Sequence, residues 1–305
     1  MAVLLALPIA LTLAGYTGYL LARRALTPLG EMAGRAGKIT SERLGERLPV
    51  ENPEDEIGQL AVVFNQALSR LEQAFVQLRR FTSDASHELR TPLAAMRSVG
   101  EVGLQKEASA EEYRDVIGSM LEEVNRLNRL VDSLLVLSRA DAGAVKLENV
   151  TFPILDVARE CVSLLQVLVD EKSQTLVLEG APDALVECDR LFLRQALVNI
   201  LHNAVRYSPA GSRISVRVWR ESAHVVVEVA DNGPGIPPEH ADKVFERFYR
   251  VDPSRSREGG GAGLGLSIAQ WAVETHGGTI LLHNLPGSGS AFQIRLPART
   301  AVMSV

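Results

Sequence analysis

The chain has 305 residues, a formal net charge of -5 and only 5% aromatic residues. This length is long for one compact core and suggests about two domains. The nearly balanced charge and few aromatic residues give no indication of nucleic-acid binding. The two cysteines, Cys161 and Cys188, lie far apart in apolar runs without metal-ligand spacing, which predicts structural thiols in a reducing compartment.

The first predicted element is an uncharged, apolar run over residues 2–22, followed directly by Arg23 and Arg24. At 1.5 Å per residue it makes a helix of ~31 Å, which is long enough to cross a bilayer core. A signal peptide carries its positive charge before the apolar run, whereas here the charge follows it. We therefore predict one membrane-spanning helix over residues 1–22, with everything from Arg23 onward in the cytoplasm.

Residues 27–75 show a pattern of helix, connector and helix. Pro28 suits the start of the first helix, and residues 37–53 are rich in glycine, proline and charge. The acidic residues of 54–58 (EDEIG) favour the start of the second helix, because they face the free N–H groups and the positive end of the helix dipole. This pattern resembles a HAMP linker, which we place at residues 23–76.

The second of these helices carries apolar residues at alternating spacings of three and four over four heptads. This spacing predicts a coiled-coil seam that continues into the next domain as part of a dimer. The open alternative is an amphipathic helix packed on its own domain. The seam consists of Ile57, Leu60, Phe64, Ala67, Leu71, Ala74, Leu78, Phe81 and Ala85.

A polar patch, FTSDASHELRTPL at residues 81–93, lies in the middle of this long amphipathic helix. His87 is its one side chain that could act as a neutral nucleophile near pH 7, and Glu88 could take its proton. Taken alone, such a pair is usually just a solvated surface pair. Pro92 cannot donate to the carbonyl of Glu88, at a cost of ~3 kcal/mol in a helix interior, so we predict a bent or loosened turn just after His87.

Residues 103–108 break the helical pattern, and a capping box of Ser109 and Glu112 starts another helix that ends at 141–143. Two antiparallel helices of this kind expose too much apolar surface to be stable alone, so we predict that two copies form a four-helix bundle over residues 77–145. The apolar face of the second helix contains Tyr113, Val116, Met120, Val124, Leu127, Val131, Leu134 and Leu137.

The second half of the chain interleaves short alternating strands with helices, which predicts a two-layer α/β domain at residues 150–298, followed by a tail at 299–305. The predicted strands include 214–219, 225–230 and 291–296, and the predicted helices lie near 154–169, 189–207 and 264–275.

Three motifs of this half suit a nucleotide. Spacings of four and three place Asn199, Asn203 and Arg206 on one helical face, where two amides and a cation suit a magnesium-bound triphosphate. Residues 231–236 (DNGPGI) supply a carboxylate and a glycine turn. Residues 259–266 (GGGAGLGL) lead into a helix whose first N–H groups can hold phosphate, although they lack the G-K-[ST] of a Walker A motif and also fit a flexible linker.

Five boxes in one order resemble those of two-component sensor histidine kinases. The resemblance implies that His87 accepts the phosphoryl group of ATP and that Glu88 is its general base. It also implies that Thr91, which completes H-E-x-x-T, serves a phosphatase reaction; the alternative is that Thr91 only caps or packs before Pro92. The H, N, G1, F and G2 boxes are matched by 81–93, 199–208, 231–236, 245–250 and 259–266.

The same resemblance assigns the helix residues to ATP and Mg²⁺ in a Bergerat-type fold. It implies that Asn203 ligates Mg²⁺, that Asn199 supports it, that Arg206 contacts phosphate and that Tyr207 packs near the nucleotide.

It further implies that Asp231 accepts from the adenine amino group, that Arg250 contacts the γ-phosphate and that residues 252–262 form a lid. The glycines that shape the two turns are Gly233, Gly235, Gly261, Gly263 and Gly265.

The implied protein is a homodimer in a bacterial inner membrane that passes its phosphoryl group to the receiver domain of a response regulator and does not bind nucleic acid. No sensor domain precedes residue 1, so we expect a truncated or mis-started chain, or sensing through the membrane or a partner.

Two other classes stay open. Gyrase-like and chaperone-like ATPases share the nucleotide fold but typically carry a water-activating Glu where this chain has Asn199, and an amide cannot take that proton. A non-catalytic dimeric scaffold would be favoured by loss of Asp231, Asn203 or His87, but all three are present.

Overall fold

The computed structural model divides into two compact units, Met1–Ser83 and Asp84–Val305. For residues 2–10 and a few others up to 36, only the backbone is described. The structure describes residues 2–37, 40, 43–50, 52–105, 109–252, 261–285 and 289–299.

The first unit begins with helix α1, Ala2–Ala36. This helix runs through Pro28, so the prediction that a helix starts there is wrong: the proline removes one ladder hydrogen bond without ending the helix. None of the helices in the described ranges combines the length and the apolar character that a membrane crossing needs. The predicted spanning helix over residues 1–22 is therefore not confirmed.

Helix α2, Glu56–Leu104, starts as its acidic residues predict, because the Asp55 carboxylate accepts a hydrogen bond from the Gly58 N–H at 2.6 Å. A short connector segment packs against this helix. The Asn65 side chain accepts from the Leu48 N–H at 2.8 Å and donates to the Leu48 carbonyl at 2.9 Å. A small core of Met32, Leu48 and Ala61 completes the contact.

Helix α2 also continues through Pro92, which is buried, so the proline does not interrupt it and the predicted bend stays a prediction. Helix α3, Ala110–Asp141, begins at the predicted capping box. The Glu112 N–H donates to the Ser109 hydroxyl at 3.2 Å, and the Ser109 N–H donates to the Glu112 carboxylate at 2.7 Å. The predicted helical hairpin of α2 and α3 is confirmed.

This hairpin leaves much of its apolar surface exposed in the single chain. Its helices approach closely near the connection, where a Cβ on Gly103 would lie 3.0 Å from Val116. Leu130 and Leu137 of α3 are buried. Large exposed apolar residues elsewhere on the hairpin include Leu93, Val102, Leu104, Ile117, Leu121 and Leu135.

The α/β domain confirms the predicted two layers. Its five-stranded sheet has the order β2-β4-β5-β7-β6, with β2 parallel to β4 and the other neighbours antiparallel, and β1 pairs with β3 in a separate two-stranded sheet. The strands are β1 Asn149–Pro153, β2 Thr175–Gly180, β3 Leu185–Asp189, β4 Arg213–Glu221, β5 His224–Ala230, β6 Thr279–Asn284 and β7 Ser290–Pro297, and the helices are α4 Ile154–Glu171, α5 Arg190–Tyr207 and α6 Gly265–Glu274.

Alternate residues of the central strands face one core with the three helices. Both cysteines belong to this core and are free thiols, as their apolar runs predict. Burial raises the pKa of the Cys161 thiol to about 11 and that of the Cys188 thiol to about 12, because the interior disfavours the thiolate. Both are therefore unreactive structural residues.

Candidate nucleotide and phosphoacceptor site

Asp231 follows strand β5 and presents a buried carboxylate, with only 5% of the residue exposed. One of its oxygens accepts a hydrogen bond from the Gly233 N–H at 2.7 Å, and the other accepts from the Ser290 hydroxyl at 2.6 Å. The Asp231 N–H donates in turn to the Ser290 carbonyl at 2.9 Å. The acceptor proposed for adenine is thus held in one orientation by its own turn and by strand β7.

The turn after Asp231 requires glycine at two positions, because one has no space for a side chain and the other has a positive φ. A Cβ on Gly233 would lie 2.7 Å from the Asp231 carboxylate, and Gly235 has a φ of +74°. Ser290 and Gly289 also shape this turn and were not predicted from the sequence. Gly289 has a φ of +123°, and a Cβ on it would meet the Asp231 carbonyl. The sequence GSGS before an alternating strand is the signal that could have indicated them.

Helix α5 carries the second group of predicted residues. It starts at Asp189, whose carboxylate caps the Leu191 and Phe192 N–H groups at 3.0 and 3.3 Å. The half-buried Asn199 donates to the Gly265 carbonyl at 3.0 Å, and the half-buried Asn203 lies one turn further along. This bond joins α5 to the start of α6.

The end of α5 meets the glycine-rich segment. The Arg206 guanidinium lies over the Tyr207 ring, 5.1 Å from its centroid, and also lies where a Cβ on Gly261 would stand. Gly263, with a φ of +71°, approaches the backbone of Phe248 so closely that a Cβ would lie 2.8 Å from it. The structure therefore brings Arg206, Gly261, Gly263 and Asn199 to one end of the domain.

The segment between the glycine turns contacts the helical hairpin. Arg247 donates two hydrogen bonds to Asp141 at the end of α3, at 2.7 and 2.6 Å, and the bonds raise the pKa of Arg247. Phe248 has an unusual φ of +62°, and its N–H donates to the Gly263 carbonyl at 2.9 Å. Its ring packs against a cluster that includes Leu130, Leu137, Leu264 and Ile268.

Arg250 extends this contact to the predicted phosphoacceptor. A terminal nitrogen of its guanidinium lies 3.9 Å from a Glu88 carboxylate oxygen, and 16% of its side chain is exposed. Its Nε and Nη2 are buried and have no hydrogen-bond partner in the described part of the chain. Arg250 therefore has donors without a partner among the described residues, and its guanidinium lies near Glu88, the neighbour of His87.

His87 itself is exposed on α2. Its backbone carbonyl accepts a hydrogen bond from the Thr91 hydroxyl at 3.2 Å. This local bond is compatible with the alternative that Thr91 has only a structural role before Pro92. The hydroxyl oxygen keeps lone pairs that can accept from water.

The donor set fits Mg·ATP. Among the described residues no group of three or more His, Cys, Asp and Glu side chains could hold a metal. A site with one amide oxygen, from Asn203, still suits Mg²⁺, because this ion keeps water and phosphate ligands. The buried Asp231 acceptor and the Arg206 cation suit the two ends of an adenine nucleotide.

Three family models match the chain in succession. They are the HAMP domain at residues 20–73, the His Kinase A (phospho-acceptor) domain at 77–143 and the histidine kinase-, DNA gyrase B- and HSP90-like ATPase at 188–300. The domain bounds predicted above stay predictions.

The relatives agree with these models. Sensor protein IrlS of Burkholderia pseudomallei is 34% identical over 96% of this chain and 63% of its own length. Sensor histidine kinase CusS of Escherichia coli is 35% identical over 89% of this chain and 56% of its own length. The chain thus spans less than two thirds of the length of these two curated relatives. The solved histidine kinase AdeS of Acinetobacter baumannii has a TM-score of 0.58 at 25% identity, over 70% of this chain and 98% of that one. Given these matches, the chain belongs to the sensor histidine kinases of two-component systems.

Proposed function

We propose that this protein autophosphorylates His87 from Mg·ATP and transfers the phosphoryl group to an aspartate on the receiver domain of a response regulator. The contact of Arg250 with Glu88 carries this proposal, because a cation of the α/β domain reaches the residue next to the predicted acceptor His87 within one compact unit. The receiver domain and the aspartate follow from the family.

In the proposed reaction Asp231 accepts from the adenine amino group and fixes the nucleotide in the α/β domain. Asn203 would hold the Mg²⁺, which offsets charge on the phosphates when bound, and Arg206 contacts them from the end of α5. Glu88 takes the proton from the His87 ring, so that a ring nitrogen can attack the γ-phosphorus while its bond to the bridging oxygen breaks and ADP leaves. The unused donors of Arg250 stabilise charge on the phosphoryl group as it passes between the two sites.

The ATPase alternative is less well supported. Asn199 already donates its amide to the Gly265 carbonyl, and an amide cannot act as a base toward water. The γ-phosphoryl group therefore has a protein acceptor in His87 but no water-activating carboxylate at this position. The scaffold alternative does not account for the buried, oriented Asp231 acceptor.

The test is incubation of the purified protein with γ-labelled ATP. We expect one acid-labile, alkali-stable phosphate on His87, and we expect His87→Gln to lose the label while ATP affinity stays nearly normal. A mutant that labels as well as the parent would refute the assignment.

We also propose a phosphatase activity that uses Thr91. Hydrolysis of the aspartyl-phosphate needs a water held in line, and the Thr91 hydroxyl can accept a hydrogen bond from it while donating to the His87 carbonyl. Thr91→Ala should keep most autophosphorylation but slow decay of the phospho-regulator at least tenfold, or ~1.4 kcal/mol. Decay is followed with mutant, parent and no kinase, each with ADP; equal acceleration by mutant and parent excludes this role for Thr91.

The protein is further proposed to be a homodimer with a single-pass anchor in the bacterial inner membrane. The exposed apolar residues of the hairpin support the dimer. The uncharged run over residues 2–22, followed by Arg23 and Arg24, supports the anchor. Deletion of residues 2–22 should move the protein from the membrane fraction to the soluble fraction; unchanged fractionation would refute the anchor.

A further inference from the structure

A tight turn after α4 lies against the end of α5. Ser173 in this turn has a φ of +51°, which is uncommon for a residue with a side chain. The turn is closed by two backbone bonds, from the Ser173 N–H to the Asp170 carbonyl and from the Gln174 N–H to the Val169 carbonyl, both at 2.9 Å. Lys172 and Gln174, on either side of Ser173, both direct their side chains to α5.

Among the described residues, the ammonium group of Lys172 donates its hydrogen bonds to backbone carbonyls. It lies 3.0 Å from the Val205 carbonyl, 2.6 Å from the Arg206 carbonyl and 3.4 Å from the Ser208 carbonyl. The last carbonyls of a helix have no N–H partner within it, and they form the negative end of its dipole. A cation is the group that stabilises them best.

Gln174 supports the same helix end with a neutral donor. Its side-chain amide, which is buried, lies 3.1 Å from the Val205 carbonyl, 3.0 Å from the Ser208 carbonyl and 3.1 Å from the Pro209 carbonyl. Two side chains from one turn thus hold the last turn of α5.

This helix turn connects the two ends of the nucleotide site. Arg206 lies against Gly261 of the glycine-rich segment. The Tyr207 carbonyl lies on the other side, 3.2 Å from where a Cβ on Gly233 would stand. A small displacement of the helix end therefore moves the Arg206 guanidinium relative to the adenine end of the site.

From these contacts we infer that Lys172 is a positioning residue for the polyphosphate part of the nucleotide, acting through the α5 backbone that carries Arg206. This inference rests on the proposed function of the site. A purely structural role is the alternative, in which Lys172 stabilises the fold but does not distinguish between ligands.

The experiment compares Lys172→Met with the parent in the full-length protein, using calorimetry with Mg·ATP, Mg·ADP and adenosine. We expect at least tenfold weaker binding of Mg·ATP and Mg·ADP, and less than twofold weaker binding of adenosine. The KM for ATP in autophosphorylation should rise by the same factor while kcat stays within about threefold. Lys172→Arg should restore binding to within about threefold, because it keeps a cation with several donors.

Lys146→Met is the matched control, since it removes the charge of an exposed lysine and should leave all three affinities unchanged. If Lys172→Met does not fold, Gln174→Leu is measured in the same way. It should weaken the binding of Mg·ATP and Mg·ADP more than that of adenosine, but by a smaller factor than Lys172→Met. Equal losses for adenosine and the phosphorylated ligands, or unchanged affinities, would overturn the inference. A parent protein that binds Mg·ATP without labelling His87 would instead refute the proposed kinase activity and leave the positioning role standing.

Discussion

The helical hairpin and the α/β domain of the second unit differ in how much apolar surface each buries by itself. The α/β domain has one core in which Leu197, Ile200 and Ile294 are almost completely buried. The buried residues of α3, Leu130 and Leu137, instead cluster with α6 of the α/β domain. The α/β domain therefore buries an apolar core of its own, whereas the hairpin has exposed apolar residues that the described part of the chain does not cover.

The two tryptophans of the chain allow this difference to be measured. Trp219 lies in β4 and Trp271 lies in α6, so tryptophan fluorescence reports on the α/β domain. Association of the hairpin can be followed separately by sedimentation.

The largest effect is expected in the α/β core. Leu201 is 0% exposed, and Leu201→Ala should lower the free energy of unfolding by ~2–5 kcal/mol, because it leaves a cavity. The measurement is urea unfolding followed by tryptophan fluorescence. Leu121→Ala, at a hairpin residue that is 55% exposed, should change this transition by less than ~0.5 kcal/mol. Similar shifts for both variants would contradict the comparison.

The next effect concerns the uncovered face of the hairpin. Ile117→Asp places a charge on this face in both subunits of the proposed dimer. If each chain loses ~1.5 kcal/mol of hydrophobic stabilisation, the dimer should associate roughly 150-fold more weakly. Sedimentation over a range of concentrations measures it. Leu164→Asp, at an exposed residue of α4, serves as the control and should leave the dimer intact. A dimer that tolerates Ile117→Asp would show that another surface pairs the chains.

A third prediction concerns the buried Asp231 carboxylate of the α/β domain, which is proposed to bind adenine. Asp231→Ala should weaken ATP binding roughly 10- to 150-fold, from a lost charge-assisted hydrogen bond of ~1.5–3 kcal/mol. Ser290→Ala keeps the carboxylate and loses only the hydroxyl that orients it, so a smaller loss is expected. Calorimetry measures both, and sedimentation should show unchanged dimers. Wild-type affinity in Asp231→Ala would remove the adenine assignment.

The smallest effect is expected where the two regions touch. The Arg247–Asp141 pair is partly exposed, with 57% of the Asp141 side chain accessible, so Asp141→Asn should cost only ~0.2–1 kcal/mol. The loss should shrink as salt rises, because the pair is screened. Unfolding followed by fluorescence measures it, with Glu101→Gln in the Arg97–Glu101 hairpin pair as control. A loss that does not depend on salt would mean that packing, rather than charge, joins the two regions.

Local sequence patterns predicted much of this fold. The start of α2 at Asp55, the capping box at Ser109 and the helix that carries Asn199 follow from spacings of three or four residues, which short-range hydrogen bonds and one-sided burial produce. The start proposed at Pro28 was wrong, since one missing ladder bond does not end a helix that continues on both sides.

The motifs of the site could also be predicted from the sequence, but the residues that hold them in place could not. The hydrogen-bonded partners are far apart in the sequence. The separation is 59 residues for Ser290 and Asp231, 34 for Lys172 and Arg206, and 106 for Arg247 and Asp141. No short-range pattern links such pairs, because the fold alone brings them together. The placement of Arg250 beside Glu88 likewise depends on how the α/β domain lies on the hairpin.

Pro92 has a further consequence for the helix beside His87. Helix α2 continues through it, but a proline has no N–H, so the Glu88 carbonyl lacks the donor that would normally come from four residues ahead. Helix opening is therefore easiest at this turn, and the neighbouring amides should exchange their hydrogens for deuterium faster than those on either side. We therefore expect the proposed phosphoacceptor His87 to lie next to the least protected interior turn of α2.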